Sequence, residues 1–83
     1  MKVNLIGLRT VDFEGKSGQP VQGVKLFMSY PEENVYGRIT DERFISAPVF
    51  ANFDIKIDEL IELIGTDIDI EISPRGKVVG IHV

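Results

Sequence analysis

Residues 54–83 read DIKIDELIELIGTDIDIEISPRGKVVGIHV, a helix pattern followed directly by a strand-turn-strand pattern. Asp58 can cap the free amides of a first helical turn, and Gly65 can close the helix in a left-handed conformation. Between them lies an apolar stripe formed by Leu60, Ile61 and Ile64. The pattern predicts one short helix near residues 58–64, held by packing because a helix of this length is marginal alone.

Residues 67–72 alternate strictly between acidic residues and isoleucine, which is the two-residue period of a strand with one buried face. Residues 73–76 read Ser-Pro-Arg-Gly, a turn with proline early and glycine late. Residues 77–83 predict a final strand. The residues expected to face the core on it are Val79, Ile81 and Val83. We therefore expect an antiparallel hairpin of residues 67–73 and 77–83.

Three strand-like segments precede the helix. Residues 2–13 change their apolar phase at Gly7, which predicts a bulge or sharp bend within one long strand. Residues 21–30 alternate cleanly between apolar and polar side chains. The core side of this second strand is formed by Val24, Leu26, Met28 and Tyr30. After a turn at residues 31–34, a third strand is predicted to begin at Val35 and to extend toward Ser46.

Three strands, a short helix and a hairpin is the element order of the five-stranded OB barrel. We therefore predict an all-β, five-stranded OB-like barrel with one short helix near residues 58–64. A chain of 83 residues is long enough for one small domain, residues 1–83, and has no room for a second.

Composition narrows the classes of function. The absence of cysteine removes disulfides and thiolate metal sites, and it fits a cytoplasmic location. No apolar run approaches the roughly 18 residues that span a bilayer, so no membrane association is expected. The net charge is −4, and residues 54–71 hold seven acidic residues and one basic residue, so the acidity is concentrated on the helix and the fourth strand. Small domains with modest cores often associate, which makes a homodimer a reasonable expectation.

The sequence contains no recognisable catalytic, metal-binding or phosphate-binding motif. The single histidine, His82, lies near the end of a strand and has no cysteine to activate. Asp67, Asp69 and Glu71 form the solvent face of an amphipathic strand. Side chains two residues apart on a strand are separated by about 6.6 Å, which is too far for one metal ion without other ligands. The glycines do not form a phosphate-binding loop, because no lysine and helix follow them in the required pattern. We predict no enzymatic activity, no cofactor and no metal.

The solvent-facing positions of the second and third strands combine aromatic and cationic side chains. Lys25 and Phe27 on one strand, and Tyr36 and Arg38 on the next, would lie side by side on an exposed sheet face. Bases stack on aromatic rings at roughly 1–3 kcal/mol each while cations follow the phosphates, so the pattern predicts sequence-tolerant binding of single-stranded nucleic acid. Two other interpretations stay open: the two rings are cross-strand partners that steady the sheet, or a second subunit buries them.

The chain also resembles the small OB-fold single-stranded DNA-binding proteins of phages, plasmids and conjugative elements. The likeness covers most of the chain in strand order and size, and within the hairpin from Lys16 to Ser46 it is similar to the gene V type of filamentous phages. The residues that carry it there are Ser17-Gly18-Gln19, Gln22-Gly23 and Tyr36. The resemblance implies that the exposed hairpin faces meet the nucleic acid. The residues predicted to do so are Lys16, Lys25, Phe27, Tyr36 and Arg38, with Arg75 and Lys77 assisting from the last hairpin.

A protein-interaction or dimerisation module is the alternative function, such as an accessory protein of a mobile genetic element. An exposed sheet edge could provide its contact surface. An apolar patch could also provide it, formed by Val49, Phe50 and Phe53, although burial in the core is the simpler role for the two phenylalanines.

Overall fold

Five antiparallel strands form one sheet in the computed structural model, which describes residues 1–83. The strands are β1 (Lys2–Glu14), β2 (Pro20–Tyr30), β3 (Ile39–Ser46), β4 (Asp67–Ile72) and β5 (Val78–His82), and two short helices, α1 (Ala47–Phe50) and α2 (Ile57–Glu62), lie between β3 and β4. The order in the sheet is β3-β2-β1-β4-β5. The prediction of a mostly β chain with five strands and a short helix after the third is therefore confirmed.

The sheet does not close into a barrel, and this part of the prediction is wrong. β3 and β5 are the two edges of the sheet and form no ladder with each other. β5 has only five residues, and the turn before it bonds β3. At that point the Arg43 guanidinium donates a hydrogen bond of 2.6 Å to the Gly76 carbonyl oxygen.

A bulge in β1 changes which side chains face the core. The register of β1 against β2 shifts between Leu5 and Gly7, as the phase change at Gly7 predicted. Leu5 is fully buried before the bulge, whereas Ile6 is 46% exposed. After the bulge Leu8 lies opposite the buried Leu26, so residues of even number face inward from there to the end of the strand.

The core lies on one side of the sheet and is closed by the helical segment. Val24, Leu26 and Met28 face it as predicted, and α2 contributes Leu60. The complete set of buried side chains is Val3, Leu5, Val24, Leu26, Met28, Ile45, Ile55, Leu60, Ile68, Ile70, Val78 and Ile81. None of the buried residues is polar or charged.

Helix α2 begins at Ile57, close to the predicted start. Asp58 does not provide the cap; instead the Glu59 carboxylate accepts a hydrogen bond from the Lys56 amide at 3.3 Å. Gly65 has the predicted left-handed backbone, with φ of 92°. The predicted apolar stripe is only partly buried, because Ile61 and Ile64 are exposed while Leu60 is not.

The third strand begins later than predicted. Residues 35–38 belong to the loop between β2 and β3, and the strand starts at Ile39. Asn34 and Gly37 have φ of 68° and 85°, a left-handed backbone that a continuous strand cannot contain. The predicted places of Tyr36 and Arg38 on a strand are therefore wrong.

The final hairpin pairs as predicted but with a bulge near its turn. The register shifts between Glu71 and Ile72, which places Ile72 opposite Val78. Val78 is therefore buried, and Val79 is exposed, contrary to its predicted direction. Ile81 faces the core as predicted, and Val83 is exposed beyond the end of β5.

Candidate functional site

One face of β1, β2 and β3 points away from the core, and its charged and aromatic side chains form the candidate site. The strand register brings these residues together: Gly7 lies opposite Phe27, Arg9 opposite Lys25, and Phe13 opposite Val21, while Lys25 and Phe27 lie opposite Phe44 and Glu42. We call this surface the outer face and define it by Arg9, Phe13, Lys25, Phe27, Glu42 and Phe44.

Two glycines lie beside phenylalanine rings of the outer face, and only Gly23 leaves room that its ring needs. A Cβ atom added at Gly23 would lie 2.7 Å from the ring atoms Cε2 and Cζ of Phe44, so this ring packs directly on the Gly23 backbone. The nearest atom to a Cβ built at Gly7 is Cδ2 of Phe27, at 3.9 Å. Phe13 and Phe44 nevertheless remain 55% and 43% exposed, so their rings offer free surface to a ligand.

The cations of the outer face lie between these rings. Arg9 and Lys25 are direct cross-strand neighbours, and Lys25 lies opposite Phe44. The Lys25 ammonium is 3.4 Å from the Glu42 carboxylate, which is the only acidic group that this side of the three strands presents. A phosphate approaching Lys25 would therefore compete with Glu42 for the same ammonium.

The structure brings only some of the predicted site residues together. Lys25 and Phe27 lie on the outer face as predicted. Arg38 joins them from the preceding loop, because its guanidinium donates hydrogen bonds to the Ser29 hydroxyl (3.2 Å) and carbonyl (2.9 Å) oxygens, and Ser29 is two residues beyond Phe27 on the same side of β2. Tyr36 is fully exposed in the loop, and the β3 neighbour of Phe27 is Glu42 instead.

The remaining predicted residues lie in turns. Lys16 is exposed in the turn between β1 and β2, and Arg75 and Lys77 are exposed around the turn between β4 and β5. The bond from Arg43 to Gly76 holds this second turn against β3.

Four outer-face residues were missed at the sequence level: Arg9, Phe13, Glu42 and Phe44. Arg9 and Phe13 face outward only because the bulge reverses the parity of β1, and Gly7 was the signal that could have indicated this. Phe44 could have been found by extending the alternation of β3 from Ile45, which is buried, to its neighbour.

A polar cluster on the opposite side of β2 and β3 supports this part of the sheet. Arg43 donates to the Asp41 carboxylate from Nε (3.2 Å) and Nη2 (2.9 Å), and the Tyr30 hydroxyl donates to the same carboxylate at 3.2 Å. Burial, followed by the nearby charge of Asp41, raises the pKa of the Tyr30 hydroxyl above its usual value of 10.0. The cluster therefore contains a neutral phenol at physiological pH and has a structural role.

The exposed acidic residues of β4 lie on the same side of the sheet as the outer face, one strand beyond β1, because Asp67 and Asp69 pair with Asn4 and Lys2 and Asn4 lies opposite Ser29. β4 exposes Asp67, Asp69 and Glu71, and Glu71 pairs with His82 on β5. The Met1 amino group donates a hydrogen bond of 2.8 Å to Asp69, which lowers the pKa of that carboxyl. No group of three or more His, Cys, Asp or Glu side chains is arranged to hold a metal ion.

No helix of this structure has the length and apolar character required to span a bilayer. Comparisons with protein-family models, curated proteins and solved structures find no match to this chain.

Proposed function

We propose that this protein binds single-stranded nucleic acid on its outer face without sequence preference. The observation that carries the proposal is that the exposed rings of Phe13 and Phe44 and the half-buried ring of Phe27 lie beside Arg9 and Lys25 across three neighbouring strands. Aromatic rings stack on bases of any sequence, and cations beside them follow the phosphates. The outer face combines both kinds of contact within one surface.

The connectivity of the sheet supports the proposal. β1 pairs with β2 and β4, β2 with β3, and β4 with β5, and the helices lie between β3 and β4. Apart from the missing pairing of β3 with β5, this connectivity agrees with that of an OB fold, which supports the proposal. OB folds bind oligonucleotides on strands 2 and 3 and with the loops after strands 1 and 4. The two turns that correspond to those loops carry Lys16, Arg75 and Lys77.

The charge distribution determines what kind of binding to expect. The chain has a net charge of −4, so long-range attraction to a polyanion is weak. Only a few phosphates can be neutralised by Arg9, Lys25 and Arg38. Affinity should therefore be modest, depend mainly on stacking, and fall only shallowly with salt. A cytoplasmic location is part of the proposal, since a chain without cysteine suits a reducing compartment.

Fluorescence anisotropy with labelled oligo-dT at low salt tests the proposal. Phe27→Ala and Phe44→Ala should each weaken binding by about 1 kcal/mol, roughly fivefold, because each removes a stacking surface. Tyr36→Ala, tested in parallel, shows whether the exposed loop ring also contributes. Ile61→Ala is the control, because it truncates an exposed apolar side chain on α2, away from the outer face.

Absence of binding at about 0.1 mM protein, near the weak limit of non-specific affinities, would refute the proposal. An equal effect of Ile61→Ala would also contradict it. In either case the exposed rings of the outer face fit a protein partner better, as in the alternative of an interaction module.

A further inference from the structure

A cleft lies on the outer face between the hairpin of β1 and β2 and the neighbouring strand β3. Its volume is about 380 Å³, near the lower end of the range that small-molecule sites occupy. The side chains that line it are Arg9, Val11, Phe13, Val21, Lys25 and Phe44. We call it the hairpin cleft. Its lining combines apolar groups, two of them aromatic, with two cations, so it offers a surface for a planar ring and a receptor for an anion.

The strand register places the cations at one end of the hairpin cleft. Three cross-strand pairs follow one another along the hairpin: Arg9 with Lys25, Val11 with Gly23, and Phe13 with Val21. The Phe44 ring packs on Gly23 and therefore lies level with the middle pair. Successive pairs on this face are two residues apart, about 6.6 Å along the strand. One ring thus lies beside the apolar floor, next to the cations, and a second ring closes the far end.

The cationic end of the hairpin cleft can receive an anion. Arg9 is exposed and takes part in none of the ion pairs of the structure. The only acidic partner of Lys25 is Glu42, at 3.4 Å. No acidic side chain lines the cleft, because Asp12 and Glu14 have the parity of the inward-facing residues of β1.

The acidic residues of β4 are too distant to cancel these cations. Asp67 pairs with Asn4, which lies opposite Ser29, whereas Arg9 lies opposite Lys25. The two positions on β1 are therefore about 13 Å apart along the ladder. This distance exceeds the screening length of about 10 Å at 0.1 M salt. An anion at Arg9 and Lys25 therefore feels these two cations more than the acidic strand.

We propose that the hairpin cleft binds one nucleoside monophosphate, with its base against the rings of Phe13 and Phe44 and its phosphate at Arg9 and Lys25. A nucleotide joins a planar base to a phosphate through one sugar, which suits the short distance between the apolar floor and the cations. The choice of a nucleotide rests on the proposed function and deepens it, because the cleft holds a single unit, either free or within a strand. Phe27, the next outward residue of β2 beyond Lys25, would then receive the adjacent base of a strand.

Other occupants use only part of the hairpin cleft. An apolar peptide would cover the two rings but leave Arg9 and Lys25 without an anionic partner. Inorganic phosphate would pair with the cations but leave the rings of Phe13 and Phe44 exposed. Charge and lining together therefore favour an anion that carries a planar ring.

Nuclear magnetic resonance titration with thymidine monophosphate, in the absence of any oligonucleotide, tests the proposal. Amide signals of residues 9–13, 21–25 and 44 should shift and saturate with a dissociation constant on the order of 1 mM, whereas those of α2 should not move. Thymidine lacks the phosphate and should bind about fivefold more weakly, as expected for the loss of an exposed ion pair. Inorganic phosphate lacks the base and should bind more weakly than thymidine monophosphate.

Three variants separate the contributions of the cations and the rings. Arg9→Gln should weaken binding of thymidine monophosphate about fivefold and leave thymidine unchanged, because Arg9 meets only the phosphate. Phe13→Ala should weaken both ligands alike, by about fivefold. Arg38→Gln is the matched control, because it removes the same charge from an arginine outside the hairpin cleft and should affect neither ligand. If Phe13→Ala does not fold, as judged by circular dichroism, the comparison of the two arginine variants decides.

Absence of shifts at about 10 mM thymidine monophosphate would overturn the inference. Equal binding of thymidine and its monophosphate, or equal losses in Arg9→Gln and Arg38→Gln, would also overturn it. Oligo-dT binding is measured separately. Oligo-dT that binds while the monophosphate does not would refute the nucleotide cleft alone, whereas a monophosphate that binds in the cleft while oligo-dT does not would refute the proposed function alone.

Discussion

Two glycines lie beside phenylalanine rings on the outer face of the sheet, and only one of them is required by its ring. On β2, Gly23 contacts the ring of Phe44 from β3. At the bulge of β1, Gly7 lies beside the ring of Phe27 from β2. Glycine in a strand interior weakens the strand, and here the aromatic ring covers the backbone that the missing side chain leaves open. The two sites differ in how much space remains, and this difference can be measured.

Gly23→Ala should lower the free energy of unfolding by about 1–3 kcal/mol, because the added methyl group overpacks a filled site. Its Cβ would overlap the carbonyl oxygen of Ile45 and would lie 2.7 Å from the Phe44 ring. Urea denaturation measures the change. Gly7→Ala is the control: its Cβ has ordinary contact at 3.9 Å, and the free energy of unfolding should stay within about 0.5 kcal/mol. Equal losses for both variants would show that the contact between Phe44 and Gly23 is not tight.

At the level of elements, β3 and the turn before β5 are joined by the side chain of Arg43 and not by a strand ladder. β3 and β5 form no ladder, and Arg43 connects β3 to the turn before β5 by its hydrogen bond to Gly76. The same guanidinium bonds Asp41, which holds it in place. The hairpin of β4 and β5 shares the core through its buried side chains and pairs with β1 over a short length, and the Arg43 clamp adds a contact on the side of β3.

Arg43→Met should lower the free energy of unfolding by about 1–2 kcal/mol. Hydrogen bonds to charged groups contribute about 1.5–3 kcal/mol, and this one is discounted because the side chain is one-third exposed. Amide hydrogen exchange should become faster in β5 than in the hairpin of β1 and β2, since the lost contact anchors β5. Arg38→Met, which removes an exposed arginine that bonds only Ser29, should leave β5 protected. Equal exchange in both variants would contradict the role of Arg43 as a clamp.

At the level of the whole molecule, the acidic residues are concentrated in α2 and β4. The acidic residues of α2 and β4 give the chain its net charge of −4, whereas the outer face carries two cations and a single carboxylate. Because exposed charges are screened within about 10 Å at moderate salt, the local charges decide how a phosphate is received.

Glu42→Gln should strengthen oligo-dT binding about two- to fivefold, because it frees Lys25 from its partner. The salt dependence of binding should become steeper as Lys25 becomes available to a phosphate. Glu62→Gln makes the same change in net charge on α2 and should have little effect. Anisotropy titrations at several salt concentrations compare the two. Equal gains would show that net charge, rather than the pair of Lys25 with Glu42, limits binding.

The identity and order of the elements could be predicted from the sequence because each depends on local patterns. The isoleucines of β4 and the apolar residues of β2 alternate with polar ones, and this period of two records which side of a strand is buried. Gly7 indicated the bulge, and Gly65 indicated the end of α2, because only special backbone geometry requires glycine there. These signals do not depend on distant parts of the chain.

Tertiary structure decided which residues form the outer face and whether the sheet closes between β3 and β5. Arg9 and Phe13 face outward because of a register shift against β2, and Lys25 meets Phe44 only through the pairing of β2 with β3. Tyr36 lies in a loop and not on the predicted strand, because Asn34 and Gly37 adopt a left-handed backbone. The alternation of side chains does not specify that conformation. Whether β3 and β5 pair depends on where two strands distant in sequence end in space, and no local pattern specifies that distance.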